Sequence, residues 1–339
     1  MKKKIAIILS VVLVFIASSI LVIALTRKTG NNVIKVNEVT HSIFYAPFYI
    51  AINNGYFEEE NIELELTNGG GSNNSMNALL SGEADIALLG PEAIVYVATG
   101  EALDQPKMFA QLTKKDGSLL ISKVATDNFQ WTDLIGKTVI GGRKGGVPAM
   151  TLQYVIEEIA GLEIGTQSNE VNLRTDVEFN LTASTYEQEG DYCTLFEPTA
   201  SALIAENKGY RVASIGSESG EIPYTGFSAR QSYMQNNPEK IKAFIRSIIR
   251  GYNFLMTAEI EDIVEALVPS FSTSSKESIQ AAMETYIGIE AWAETPIMKE
   301  LALDYLQTVM IHAEELTNRV LYSQVFDPTF AQSVLDEIA

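Results

Sequence analysis

Cysteine and histidine are almost absent from this sequence of 339 residues. The single cysteine, Cys193, cannot form an internal disulfide, so the fold must rely on its hydrophobic cores. Because Cys193 lies in an apolar run, we predict that it is a small buried hydrophobic residue. His41 and His312 are far apart and have no partners at metal-ligand spacing. A zinc site takes about three or four ligands, so the sequence predicts no metal and no cofactor.

Positive charge is also scarce, with 24 basic residues against 43 acidic ones and a formal net charge of −19. Such a surface repels nucleic acid and anionic lipid headgroups, and it favours solubility. The glycine-rich loops lack the Gly-Lys-Ser/Thr ending of a phosphate-binding P-loop. The sequence therefore predicts no nucleic-acid partner and no P-loop nucleotide site, and its length predicts about two globular domains.

One long uncharged run, residues 5–26, follows three lysines at positions 2 to 4. A signal peptide has an apolar region of about 7–15 residues, whereas a membrane span needs about 20. The lysines predict a cytoplasmic start, and Val22-Ile23-Ala24 is a candidate cleavage site. We therefore expect residues 1–30 to be a signal anchor or a cleaved signal peptide, and the rest of the chain to be exported.

Two stretches share one plan: "GEADIALLGPEA" (82–93) and "GDYCTLFEPTA" (190–200). Each has a continuous apolar run, typical of a parallel strand covered on both faces, and then a proline suited to the first position of a helix. Each lies within an alternation of strands and helices, which predicts two doubly wound α/β sheets. Beyond them, helices are predicted over 238–257, 259–269, 275–289, 296–317 and 328–337, with Ser274 and Glu277 as a capping box.

Four motifs occur in order: "YAPFYIAINNGYFEEENIELEL", "GGGSNNSMNALLSGEADIALLG", "DLIGKTVIGGRKGG" and "GDYCTLFEPTASALIAENKGY". On these motifs the chain resembles the solute-binding proteins of ABC importers, in the branch of alkanesulfonate-, taurine- and thiamine-pyrimidine-binding proteins. The resemblance implies the two-lobed type II periplasmic-binding-protein fold, with ligand in the cleft and a helical C-terminal part. Lobe I would comprise 31–121 plus 224–339 and lobe II 122–223, joined by crossing strands near 119–123 and 223–227.

The resemblance implies a monomer that is not an enzyme and that captures a small organic nutrient, aminopyrimidine-like or sulfonate-like, for an ABC permease and its ATPase. The N-terminal run would hold it at the membrane in place of a lipid-bearing cysteine. One alternative is a membrane-anchored sensing domain. Another is an enzyme similar to thiamine-pyrimidine synthases, but that branch carries a cysteine-rich motif, which a single cysteine cannot supply.

Candidate ligand-binding residues come from the strand ends and helix starts. Ser42 and Tyr45 occupy positions where the family contacts ligand, and free N–H groups at helix starts bind polar oxygens. Ligands lie beyond the carboxyl ends of strands in open α/β sheets. The predicted site residues are Ser42, Tyr45, Gly71, Ser72, Gly90, Gly145, Gly146, Glu197 and Tyr224.

The role of Glu197 is open, and other residues nearby bear on the kind of ligand. Glu197 ends an apolar run, so its carboxylate is predicted either to meet ligand or to cap the next helix. His41 is a further possible contact, whereas Phe48 and Tyr49 are predicted to be core. Helix starts favour an anion, but Glu92 and Glu197 favour a group rich in hydrogen-bond donors.

Overall fold

The computed structural model describes residues 32–100 and 102–338. The strands are β1 Val33–Glu38, β2 Glu63–Asn68, β3 Ile86–Leu89, β4 Pro106–Thr113, β5 Leu119–Ser122, β6 Thr138–Ile140, β7 Asn172–Arg174, β8 Tyr192–Leu195, β9 Tyr210–Ser214 and β10 Thr225–Arg230. The helices that precede β10 are α1 Ala46–Asn53, α2 Tyr56–Glu59, α3 Ser72–Ser81, α4 Pro91–Ala98, α5 Val147–Tyr154, α6 Thr182–Glu189, α7 Thr199–Ala205 and α8 Ile215–Ser219. The later helices are α9 Gln231–Asn236, α10 Pro238–Thr257, α11 Ile260–Leu267, α12 Lys276–Gly288, α13 Glu300–His312, α14 Tyr322–Val325 and α15 Thr329–Ile338.

These strands form two five-stranded sheets, in the orders β2-β1-β3-β10-β4 and β7-β6-β8-β5-β9. Neighbours β1, β2 and β3 run parallel, as do β6, β7 and β8. The predicted pair of α/β sheets is confirmed, and each sheet also contains one antiparallel strand. Strand β5 pairs antiparallel with β8 and β9, and β10 pairs antiparallel with β3 and β4. The chain thus crosses between the sheets just before β5 and just before β10.

The core of the first sheet continues into the C-terminal helices. Phe48, Phe227 and Phe244 are fully buried and belong to one cluster, with the rings of Phe227 and Phe244 4.9 Å apart. Helix α10 packs against α1 and against α15. The predicted helical C-terminal part therefore encloses the first sheet, and Phe48 and Tyr49 are core residues as predicted.

The second sheet has a separate hydrophobic cluster on each face. Ile121 and Cys193 belong to one cluster, and Leu120 and Val139 belong to the other. This division follows from the alternation of side chains along a strand. Cys193 is fully buried among apolar residues, as predicted.

Several predicted helix starts are wrong. Helix α7 begins at Thr199 rather than at Pro198, which follows a cis peptide bond. Helix α12 is capped by Ser275, whose Oγ accepts a hydrogen bond from the Ser278 N–H at 3.2 Å, so the predicted capping box of Ser274 and Glu277 is not formed.

The predicted helix 296–317 covers only Glu300–His312 because residues 291–296 pair with the edge of β4. Gln111 N–H donates to the Pro296 carbonyl at 2.7 Å, and Ala293 N–H donates to the Leu112 carbonyl at 3.0 Å. Within the described residues no helix has both the length and the apolar character of a membrane span. The predicted anchor or signal at 1–30 lies outside those residues.

Candidate ligand-binding site

A cavity lies between the two sheets where strands of both sheets end. Val39 and Thr40 follow β1, Gly90 follows β3, Gly141 follows β6 and Phe196 follows β8, and all of them line it. The empty volume is about 780 Å³, its opening to solvent included. Its location is the one expected for a ligand, at the carboxyl ends of strands.

Six of the predicted site residues line this cavity: Tyr45, Gly71, Ser72, Gly90, Gly146 and Tyr224. The glycines lie at helix starts, because Gly71, Gly90 and Gly146 are the N-cap residues of α3, α4 and α5. Three helix N-termini therefore converge on one space, and each brings free N–H groups and a positive dipole end towards it.

Ser42 and Gly145 instead make contacts between the lobes. The Ser42 hydroxyl accepts from the Phe44 N–H at 3.2 Å and donates to the Glu197 carbonyl at 2.6 Å, so its hydrogen-bonding capacity is used within the protein. Gly145 has a φ of +78°, and its carbonyl accepts a hydrogen bond from the Tyr96 hydroxyl at 2.8 Å. Neither residue lines the cavity.

Glu197 also lies outside the cavity lining. Its side chain is buried, and its Oε2 accepts a hydrogen bond from the Ser201 N–H at 2.9 Å in the first turn of α7. Burial raises the pKa of this carboxyl, and the hydrogen bonds from Ser201 oppose that rise. The structure therefore matches the alternative in which Glu197 caps its own helix.

Glu92, at the second position of α4, is the buried acid that faces the cavity. Its side chain is only 2% exposed, and Oε1 accepts a hydrogen bond from the Ser72 hydroxyl at 3.1 Å. Its Oε2 finds no hydrogen-bond donor among the residues that the structure describes. Burial raises the pKa of Glu92 to about 7, and the Ser72 hydroxyl, the backbone N–H groups of Glu92 and Ala93 and the Arg143 guanidinium oppose that rise.

Gly90 allows the Glu92 carboxylate to take this position. A β-carbon on Gly90 would overlap with Glu92 Oε2, so the side chain folds back over a residue that has none. Tyr224 is 4% exposed, and burial followed by the nearby Asp116 carboxyl raises its phenol pKa well above the usual range. The cavity wall therefore combines an acid that can accept hydrogen bonds with a neutral phenol.

Aromatic rings form another part of the wall. Phe196 lies between Phe179 and Tyr224, with ring centroids 5.7 Å and 6.1 Å away. Tyr45 lines the cavity as well. Aromatic faces of this kind stack on flat ligand rings and attract cations.

A model of the NMT1/THI5-like family matches residues 43–259. The chain belongs to this family. The Bacillus subtilis (strain 168) protein named "Putative binding protein YtlA" is 35% identical over 305 residues, which cover 90% of each chain.

Solved structures share the fold of this family member. The ligand-binding component of an ABC-type import system from Staphylococcus aureus, with zinc bound, has a TM-score of 0.71 at 12% identity and covers 90% of this chain and 99% of that one. The alkanesulfonate-binding protein SsuA from Xanthomonas axonopodis pv. citri, bound to MOPS, has a TM-score of 0.68 at 13% identity over 87% and 98% of the two chains. The desulfurization enzyme DSZB has a TM-score of 0.67 at 11% identity over 91% and 100%. These similarities confirm the periplasmic-binding-protein fold.

Arg143 and Phe196 are two of the lining residues that the sequence prediction for this family member missed. Arg143 lies in the loop after β6, and its guanidinium donates to Asn73 Oδ1 at 3.0 Å across the cleft. Its position after a strand end was the available signal. Phe196 precedes Glu197, and alternation along an extended chain sends the two side chains to opposite sides, so only one of them could face the cavity.

The last two predictions to compare with the structure are the possible ligand contact of His41 and the lack of a metal site. His41 contacts Glu38, Tyr49 and the Ser270 carbonyl, and it does not line the cavity. Within residues 32–100 and 102–338, no group of three or more His, Cys, Asp or Glu side chains is placed to hold a metal ion.

Proposed function

We propose that this protein is the extracytoplasmic solute-binding component of an ABC importer and captures a small organic nutrient. The observation that carries the proposal is the cavity, whose walls come from both sheets. Its relative is named a binding protein, and one protein of the same fold is the ligand-binding component of an import system. The helix N-termini suit a sulfonate-like group, whereas Glu92 and the aromatic wall suit an aminopyrimidine-like one.

The mechanism follows from the two crossings between the sheets. The lobes, predicted at 31–121 plus 224–339 and at 122–223, would hinge at these crossings as a monomer, with all of β5 on the side of the second lobe. A ligand that touches both walls favours the closed arrangement, because it makes its full set of contacts only there. The partners would be a permease and its ATPase, which receive the solute from the closed form.

Binding is proposed rather than catalysis because the cavity lining suits recognition. Its described lining residues include neither histidine nor cysteine, and Glu92 is the one described lining acid whose pKa is raised to near neutral pH. Cys193 is buried in the second sheet, and burial raises its thiol pKa well above the usual range. This supports a role in which the protein holds a solute without transforming it.

Native mass spectrometry of the purified full chain tests the proposal. We expect a small solute to co-purify with the protein and to be released on denaturation. Deletion of the gene should abolish uptake of that solute, as should deletion of the permease or ATPase genes, which we expect nearby. A solute that binds but whose uptake is unaffected would instead favour the anchored sensor.

The N-terminal run, residues 5–26, is proposed to hold the protein at the membrane. Its motivation is the uncharged run after three lysines. We expect the protein to remain with the membrane fraction of its host and to keep its original N-terminus. A secreted product that starts at Leu25 would support a cleaved signal instead.

A further inference from the structure

Glu92 presents one unsatisfied carboxylate oxygen in the wall of the cavity. Its Oε1 is engaged by the Ser72 hydroxyl at 3.1 Å, but Oε2 has no donor among the described residues although the side chain is 98% buried, since only 2% is exposed. A buried acceptor without a donor destabilises a protein, and such atoms are rare in folded proteins. A donor on the ligand would satisfy this oxygen.

The position of this carboxylate is fixed by its neighbours. Ser72 at the start of α3 holds one oxygen, and Gly90 leaves the space that the other oxygen occupies. Because both neighbours are themselves part of the cavity wall, the acid is part of a built site rather than an isolated charge at a helix start.

The charges around the cavity disfavour an anionic ligand near Glu92. The charged side chains that line the cavity are Glu92, Arg143 and the exposed Glu178. The Arg143 guanidinium already donates a hydrogen bond to Asn73 Oδ1 at 3.0 Å. The other titratable groups that face Glu92 are the phenols of Tyr45, Tyr96 and Tyr224. Their pKa values are raised mainly by burial, so these phenols stay neutral between pH 6 and 8 and leave Arg143 as the one facing cation among the described residues.

We propose that the ligand presents an N–H donor to Glu92 Oε2, as an ammonium, an amidinium or an amino-substituted ring. This inference rests on the proposed function and decides between its two ligand classes in favour of the nitrogenous one. Phe179, Phe196 and Tyr224 provide faces on which a flat or cationic group packs. Glu92 is then a specificity-determining residue, because an anion without an N–H group leaves its oxygen unsatisfied.

The test uses two probes that share a ring and differ in charge, benzamidine and benzenesulfonate. Calorimetry with the purified full chain should show tighter binding of benzamidine at pH 8. The pKa of Glu92 is about 7, so this acid is mostly protonated at pH 6. The affinity of the protein for benzamidine should therefore be lower at pH 6 than at pH 8, by up to roughly tenfold. Benzenesulfonate should show the opposite trend, since protonation removes repulsion and supplies a donor.

The variant Glu92→Gln removes the charge while keeping the size of the side chain. Benzamidine affinity should fall roughly 10- to 100-fold, the range for a hydrogen bond to a charged group, and its dependence on pH between 6 and 8 should disappear. Glu261→Gln is the matched control, because Glu261 also holds the second position of an eight-residue helix, α11, but is exposed. This control should keep the affinities of the unmodified protein.

Three results would overturn the inference: tighter binding of benzenesulfonate at pH 8, equal benzamidine affinity with and without Glu92, or no benzamidine binding. The co-purifying solute separates this failure from failure of the proposed function. A solute that lacks an N–H donor refutes the inference and leaves solute capture intact. The absence of both a bound solute and an uptake defect refutes the proposed function itself.

Discussion

Glu92 and Glu197 lie beside the prolines that follow two buried strands, but their carboxylates have different surroundings. Glu92 comes one residue after Pro91 and faces the cavity, whereas Glu197 precedes Pro198 and accepts the Ser201 N–H. In the second case Phe196 takes the cavity-facing direction. The role of an acidic residue at a strand end therefore depends on the side of the backbone from which its side chain projects.

We expect Glu197→Ala to destabilise the protein without changing ligand binding. The Ser201 N–H would lose its acceptor, so the free energy of unfolding should fall by about 1 kcal/mol. Chemical denaturation of the ligand-free protein would measure this, and calorimetry on the same variant should give an affinity within roughly twofold of the original. The control is Glu206→Ala, at the exposed end of α7, whose surface ion pair with Lys208 contributes little.

A larger loss of affinity than of stability would return Glu197 to the binding site. The same comparison therefore tests both assignments that the sequence left open for this residue.

His41 should make stability depend on pH. Its hydrogen bond with Glu38 raises the pKa of the imidazole, although partial burial opposes the rise. A raised folded-state pKa means that the stabilisation is complete below the ordinary value of 6.5 and is lost as pH rises through the folded-state value. The melting temperature of the original protein should therefore exceed that of His41→Gln by more at pH 5.5 than at pH 8.5.

The difference between the two proteins is the quantity to measure, because the titration of Glu92 and Asp116 contributes equally to both. A difference that stays constant over this pH range would show that the His41–Glu38 contact does not couple to folding.

At the scale of elements, helices α1 and α10 approach each other closely at Gly251. A β-carbon there would overlap with the Pro47 carbonyl oxygen and lie 3.1 Å from the Ala51 side chain. The absence of a side chain at Gly251 therefore sets the distance between the helix that follows β1 and the longest helix described in the C-terminal part.

Gly251→Ala should destabilise the protein by about 1–3 kcal/mol, because overpacking a tight interface forces backbone shifts. Helix propensity alone would make Gly251→Ala stabilising, because alanine is the better helix former by about 1 kcal/mol. A loss of stability would therefore show that the close contact outweighs helix propensity. Gly288→Ala in α12 is the control, since a β-carbon there meets no atom within 4 Å. Urea denaturation gives the free energy of unfolding of both variants. An unchanged value for Gly251→Ala would contradict the packing argument.

The elements that were predicted well carry their information locally. Helix α10 matches the predicted 238–257 because a long periodic apolar face follows Asn237-Pro238. Thr295-Pro296 has the same local signal but starts no helix, because its backbone pairs with β4, which lies far away in sequence. The predicted strand ends likewise indicated where the cavity lies. The side-chain directions of Phe196, Glu197 and Ser42 could not be predicted, because they depend on contacts between the lobes that no local sequence pattern contains.

At the scale of the whole molecule, hydrogen bonds join the two lobes around the cavity. Tyr96 donates to the Gly145 carbonyl at 2.8 Å, Ser42 to the Glu197 carbonyl at 2.6 Å, and Arg143 to Asn73 at 3.0 Å. If the lobes separate when no ligand is bound, these bonds form only in the closed arrangement and contribute to affinity.

Tyr96→Phe should weaken binding of the co-purifying solute by roughly 2- to 10-fold, the effect of one ordinary hydrogen bond. Calorimetry gives the affinity, and small-angle scattering should show a smaller radius of gyration when the solute is added. Tyr233→Phe is the control, because the Tyr233 hydroxyl is buried without a hydrogen-bond partner among the described residues. Unchanged affinity in Tyr96→Phe would mean that the Tyr96 contact is equally present without ligand.

The pairing partners of strand β4 determine the order in which the two lobes can fold during synthesis. One of its edges pairs with β10, and the other is covered by residues 291–296, so both neighbours come later in the chain. All strands of the second sheet, by contrast, lie between residues 119 and 214. As the chain emerges in order, the second sheet can assemble while β4 still presents open edges, which are sites of wrong pairing between chains. The first lobe closes only after the last third of the protein has arrived.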